Sequence, residues 1–221
     1  MAQARRIGSA TRQGGVPRLM LILDHAVAGG DAAFLDRLEQ VWPMLPRDGS
    51  VWLQLRAKRL SREARVALLA AARGVARGEG APILVNGTSG DALTAGFVGV
   101  HWPEALRPTE PPPALARLRS ISAAVHDLDG ARAAARAGAR VVTWSPVFAP
   151  RSKPGEGRGL DALAAVCRQS PLPVLALGGI TAERVGACLE AGAAGVAVLS
   201  AISAPGANVE AEVRRLVEAV G

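Results

Sequence analysis

Residues 173–202 read PVLALGGITAERVGACLEAGAAGVAVLSAI and hold one complete strand–helix–strand unit. The run Pro173–Leu177 is short and apolar throughout, as expected of a strand buried on both faces. It runs into Gly178-Gly179, where the chain can turn tightly, and a helix is expected to start near Thr181. Val185, Cys188 and Leu189 fall on one face of that helix. Ala191–Ala194 makes the return turn, and Gly195–Leu199 is a second apolar run. Two strands joined by a crossover helix lie parallel in one sheet.

The same unit recurs through the chain. Further strands are expected at Arg18–Asp24, Val51–Leu55, Pro82–Val85, Val98–His101, Ser120–Val125 and Arg140–Trp144. Phe34, Leu35, Leu38, Val41, Trp42 and Leu45 form one helical stripe, with Asp31 as its expected N-cap. Helices follow at Ser61–Arg77 and at Asp127–Ala137, the latter closed by Gly138. Leu160, Leu163, Ala164 and Cys167 mark another. Val209, Val213, Leu216, Val217 and Val220 mark the last, capped by Asn208. The proline-rich stretch Pro108–Arg119 is expected to be short or irregular. Eight strands alternating with about eight helices predict an α/β fold, a single (β/α)8 TIM barrel over residues 18–221. A doubly wound open sheet is the alternative, but no G-x-G-x-x-G follows the first strand.

Composition narrows the class. The chain has 221 residues, 49% hydrophobic and 20% charged, which suits one soluble domain. No apolar run approaches the roughly 18 residues of a membrane span, and no apolar leader opens the chain. Two cysteines are too few for a disulfide framework, and both sit on apolar helix stripes as core residues. A cytoplasmic location follows as the expectation. The net charge is +7. Part of it lies in residues 1–17 with Arg5, Arg6 and Arg12, expected to be a basic disordered tail, and the rest is spread over helix faces. There is no aromatic and basic platform, so neither nucleic acid nor membrane is an expected partner.

Barrel active sites gather at the C-terminal ends of the strands. His25, His101 and His126 all follow or end predicted strands, and so do Lys58 and Lys153, the only lysines beside 24 arginines. Lysine is a compact charge with a movable pKa, so such a bias points to chemistry. Asp24 reads equally as a catalytic carboxylate or a turn acceptor. Trp52 and Trp144 are expected to pack between barrel and helices. Gly178, Gly179, Ser200 and Ala201 close strands 7 and 8 before helices, where backbone amides can bind a phosphate.

Together these segments resemble the thiamine phosphate synthase and thiazole tautomerase superfamily across roughly residues 18–220. The resemblance rests on Gln54-Leu55-Arg56-Ala57-Lys58, Leu84-Val85-Asn86, Gly99-Val100-His101 and Ser145-Pro146-Val147-Phe148. It continues in Gly178-Gly179-Ile180 and Val198-Leu199-Ser200-Ala201-Ile202. It implies a barrel that binds a small-molecule thiazole phosphate, with Gln54, Arg56, Asn86, His101 and Ser145 as substrate contacts. Self-association as a homodimer is left open.

The two branches differ in what they hold. The synthase branch joins a pyrimidine diphosphate to a thiazole phosphate with Mg²⁺, and carboxylates are needed for that ion. Where the synthase pattern carries an Asp after strand 3, this chain has Gly87, and Glu104 is the only acid just beyond His101. Asn86-Gly87, Val125-His126 and Gly157-Arg158-Gly159 resemble the tautomerase branch instead. That resemblance implies a cofactor-free, metal-free isomerase with His126 as general acid and base, and with Lys58 and Lys153 as competing bases or electrostatic aids. Ala123 and Ala124 depart from the polar residues usual before this histidine. The synthase, and a non-catalytic binder of thiazole or thiamine phosphates, are the alternatives.

Overall fold

The computed structural model describes residues 15–78, 80–149 and 156–221. Lys153 lies outside them. Eight parallel strands close into a barrel in sequence order: β1 (Leu19–Asp24), β2 (Val51–Arg56), β3 (Ile83–Asn86), β4 (Gly99–Trp102), β5 (Ser120–Val125), β6 (Val141–Trp144), β7 (Val174–Leu177) and β8 (Gly195–Val198). Strand β8 returns to β1 with Leu19 opposite Val196 and Leu21 opposite Val198.

Outside the barrel run α1 (His25–Ala28), α2 (Asp31–Val41), α3 (Arg62–Val75), α4 (Ser89–Thr94) and α5 (Leu128–Ala137). They are followed by α6 (Gly159–Gln169), α7 (Ala182–Glu190), α8 (Ser200–Ser203) and α9 (Val209–Val220). Two 3-10 turns, Glu104–Leu106 and Pro113–Arg117, connect β4 and β5 in place of an α-helix, as the prolines there predict.

The period of two along each strand makes two cores. Leu19, Leu21 and Leu23 face the helices, whereas Met20 and Ile22 point inward to join Trp52, Leu84, Val141, Leu175 and Ala197. Each fully buried large apolar side chain contributes roughly 1.5–3 kcal/mol. This inner cluster plugs the barrel, so the mouth has a floor. Trp144 packs outward as expected, but Trp52 does not. It shares strand parity with Gln54 and Arg56 and therefore lies inside the barrel.

Three local expectations also change. Asp31 is the first residue of α2 and not its cap; Gly30 holds the cap position. The Asp31 carboxylate is taken by His25 Nε2 at 2.6 Å. Helices α4 and α8 were not anticipated, being too short to show a stripe. The predicted cap of α9 is present, Asn208 accepting from Ala211 N at 3.2 Å, whereas Asp127, expected as the first residue of α5, is its N-cap and accepts from Gly130 N at 2.7 Å. Gly138 closes α5 in the left-handed region at φ 95°.

Cys188 is buried, and burial pushes its thiol up to about 11; Cys167, half-buried, is raised for the same reason. Both favour the inert thiol expected of core residues. Among the described residues no helix is long and apolar enough to cross a membrane.

Candidate functional site

A cavity of about 1160 Å³ opens at the C-terminal ends of the strands. Its walls follow from strand parity. Gln54 and Arg56 rise from β2 on the inward side, Asn86 from β3, His101 from β4 and Thr143 from β6, with Ser145 just beyond. Around the rim stand Glu104 and His126. Gly178, Gly179, Ser200 and Ala201 complete the opposite side. Ten of the sequence-predicted site residues are thus brought to one mouth: Gln54, Arg56, Asn86, His101, His126, Ser145 and those last four.

Other expected residues are not brought there. Lys58 lies two residues past the end of β2, is exposed, and does not line the mouth. His25 begins α1 at the correct end of the barrel but turns away, bonded to Asp31 and set against Phe34.

Electrostatics fix the β1–β2 side. The Asp24 carboxylate, 3% exposed, is paired with Arg56 and also accepts from Val27 N at 3.1 Å. Asp24 is therefore a turn acceptor and the partner that orients Arg56. Ser203 supports the same turn, accepting from Asp24 N at 2.9 Å and donating to Ile22 O at 2.8 Å. Next to Arg56, His101 is buried with its Nδ1 2.8 Å from Ser122 Oγ. Burial, reinforced by the Arg56 charge, pushes its pKa down to about 3, so the imidazole is neutral at physiological pH. Gln54 Oε1 is buried at the mouth without a hydrogen-bond partner. A buried unpaired acceptor is costly, and a bound heterocycle offering an N–H would satisfy it.

The opposite side is a braced turn. Gly178 and Gly179 adopt φ 103° and 63°, conformations that favour glycine. Val147 N donates to Leu177 O at 2.9 Å and Phe148 N to Gly178 O at 3.0 Å, tying the loop after β6 to the turn. Arg184 donates to Gly179 O at 2.7 Å while stacking on Phe148 at 4.6 Å. Sequence reasoning missed Arg184, since nothing distinguishes it among the other arginines. It also missed Ser203, whose helix gives no stripe.

His126 is half-exposed at the rim, its Nδ1 3.3 Å from Ser145 O and its Nε2 3.6 Å from Glu104 Oε2. Arg158 donates to the His126 carbonyl and lies over Trp144.

The glycine turn yields a direct test. A Cβ on Gly179 would lie 2.8 Å from both Phe148 Cβ and Ala149 O. Gly179→Val is therefore expected to displace the turn and weaken binding of a phosphate ligand about tenfold or more, while the barrel stays folded. Calorimetric titration with thiazole phosphate reads this, and unchanged affinity would remove the turn from the phosphate site.

Comparison with known proteins now separates the branches. Residues 19–202 match the family model described as thiamine monophosphate synthase. The chain belongs to the thiamine monophosphate synthase family. The thiamine-phosphate synthase of Myxococcus xanthus is 40% identical over 175 residues, covering 77% of this chain and 79% of that protein. That of Roseiflexus castenholzii is 33% identical over 189 residues, covering 83% and 80%. The thiamine phosphate pyrophosphorylase structure from Pyrococcus furiosus superposes with a TM-score of 0.72 at 25% identity, over 92% of this chain and 95% of that one. These relatives overturn the tautomerase expectation. It rested on three short segments outside the strands' apolar cores, whereas the likeness to synthases extends over most of the barrel.

The family implies Mg²⁺, and the side chains can be tested for it. Gly87 offers no carboxylate. Asp24 is engaged by Arg56, and Asp91, 2% exposed, is held by Arg62 and Arg65 at 2.9 Å each. These guanidinium partners take one Asp91 oxygen each, while the Asp91 backbone N donates to Thr88 Oγ1 at 3.1 Å in the α4 cap. Glu104 faces His126. Among the described residues no cluster of three metal-ligating side chains exists. The carboxylates of the described residues do not fit a resident Mg²⁺ ion.

Proposed function

We propose that the chain is a thiamine-phosphate synthase, joining hydroxymethylpyrimidine diphosphate to a thiazole phosphate at the barrel mouth. The observation that carries this reading is the mouth's pair of anion-receiving sides, Arg56 on β2 and the Gly178-Gly179 turn with Ser200 and Ala201 beyond β7 and β8. It is supported by the family match over residues 19–202. A condensation of two phosphorylated substrates needs two such sides.

In this reading Arg56 holds the diphosphate, with Asp24 fixing the guanidinium so that its remaining donors face the mouth. Negative charge builds on the diphosphate as it departs, and a pre-oriented cation stabilises that charge most in the transition state. Neutral His101 leaves the number of fixed charges beside Arg56 constant at physiological pH. Gln54 Oε1 accepts from the ring held above it. Glycine-turn amides hold the thiazole phosphate at the other side.

The test is formation of thiamine phosphate from the two substrates, followed chromatographically. Product is expected only when both are present, and its absence with folded enzyme under magnesium overturns the reading. Tight binding of either phosphate without turnover would instead favour a non-catalytic binder, a reading that the missing metal carboxylates give some ground for. A second expectation concerns the ion. Mg²⁺ titrated into ligand-free protein should give no stoichiometric binding heat, because no carboxylate cluster is available. A saturable one-to-one isotherm would show a protein-held site after all.

A further inference from the structure

The barrel has a second cavity at its other end. It holds about 530 Å³ where β3, β4 and β5 begin, at Ile83, Gly99 and Ser120, and beside Arg140, which precedes β6. The plug of Trp52, Leu84 and their neighbours separates it from the mouth. Three exposed arginines line it: Arg73 from α3, Arg119 from the residue before β5, and Arg140 from the residue before β6. Among the described residues no carboxylate lines it, and none of the three arginines is ion-paired with a described residue.

Their donors are mostly unspent. Arg73 gives one N–H to Ala76 O at 2.9 Å, and Arg140 gives one to Arg119 O at 3.0 Å. A guanidinium carries five N–H donors, so several remain on each. The remaining wall is apolar. Val98, 47% exposed, contributes apolar surface to this wall. Trp42 adds an aromatic ring whose indole N–H is already used by Arg77 O at 3.3 Å.

We propose that this cavity binds a small organic phosphate that carries a planar ring. Guanidinium forks match the oxygens of phosphate bidentately, and three neighbouring cations suit a dianion better than a single carboxylate. Trp42 and Val98 give the ring an apolar surface, and the volume lies in the usual range for a small-molecule pocket. Nothing in the site needs the substrates of the mouth, so it is a separate locus.

The experiment is calorimetric titration of the full chain with AMP, ribose 5-phosphate and inorganic phosphate. The variants are Arg119→Gln with Arg140→Gln, and Trp42→Leu. AMP is expected to bind saturably and more tightly than either probe without a ring. The double arginine variant should weaken AMP about tenfold or more, since each lost charge-assisted hydrogen bond is worth more than a neutral one. Thermal melting verifies that the variants fold, and thiamine phosphate formation at the mouth should be unchanged in them. Absence of saturable AMP binding to the wild-type chain overturns the proposal. So does equal affinity in wild type and the folded double variant. Inorganic phosphate binding as tightly as AMP, or Trp42→Leu leaving AMP affinity intact, overturns the ring-binding assignment.

Discussion

Arg56→Met is expected to destabilise the protein by about 3–5 kcal/mol and to abolish most product formation. The Asp24 carboxylate is 3% exposed and its one ion-pair partner is Arg56. Removing the guanidinium leaves a buried charge with only the Val27 amide, 3.1 Å away, and desolvation of that charge then has no offset. The pair can be dissected because the two losses have different origins. Asp24→Asn combined with Arg56→Met removes both charges, and stability should return to within about 1–2 kcal/mol of wild type. Activity should not return, since the cation proposed to meet the diphosphate is still missing. Denaturant midpoints and steady-state turnover of the three variants decide the matter. A single variant as stable as wild type would show that Asp24 is satisfied by other groups. Full activity in the double variant would remove Arg56 from the diphosphate site.

The same residues show where sequence reading succeeds. The strands of a closed parallel barrel are covered on both faces, so they read as short apolar runs whatever their position. For that reason Ser120–Val125 is matched at both ends and Pro82–Val85 falls one residue from the observed Ile83–Asn86. Helix α5 is equally legible, because the expected span Asp127–Ala137 differs by one residue from Leu128–Ala137 and Gly138 closes it in both. The misses have physical causes too. Helix α4 is six residues long, and its buried positions Ser89, Asp91 and Ala92 form no apolar stripe.

Trp52 was placed outside the barrel because its neighbours were read singly. Parity with Gln54 and Arg56 was sufficient to turn it inward. Rarity selects Lys58 but says nothing of direction; it stands two residues past Arg56, the last residue of β2, and does not itself line the mouth. The branch of the family was misjudged for a related reason. Gly87, His126 and Gly157-Arg158-Gly159 are local loop features. The Asp24–Arg56 pair and the braced Gly178-Gly179 turn arise from contacts between elements far apart in sequence, which no local motif displays.

Lowering the pH should expose His101 as a source of acid lability. Its folded pKa is about 3, against 6.5 for the free side chain, because burial and the Arg56 charge both oppose the imidazolium. Between those values the unfolded chain binds a proton that the folded chain does not, so stability falls as pH falls. Above pH 6.5 the effect vanishes, and below about pH 3 it levels off. The full span corresponds to about 5 kcal/mol at roughly 1.4 kcal/mol per pH unit. His101→Gln keeps a polar group that can meet Ser122 Oγ but takes up no proton in this range. At pH 7 the variant should lie within about 1–2 kcal/mol of wild type, reflecting only altered packing and hydrogen bonding. At pH 4 it should have gained about 3 kcal/mol relative to wild type. Carboxylates also titrate over this interval, but they are common to both proteins and cancel in the difference. Urea unfolding at a series of pH values measures that difference directly. Parallel stability curves for the two proteins would mean that His101 is as easily protonated in the barrel as in water, and that the mouth carries a second cation beside Arg56 in mild acid.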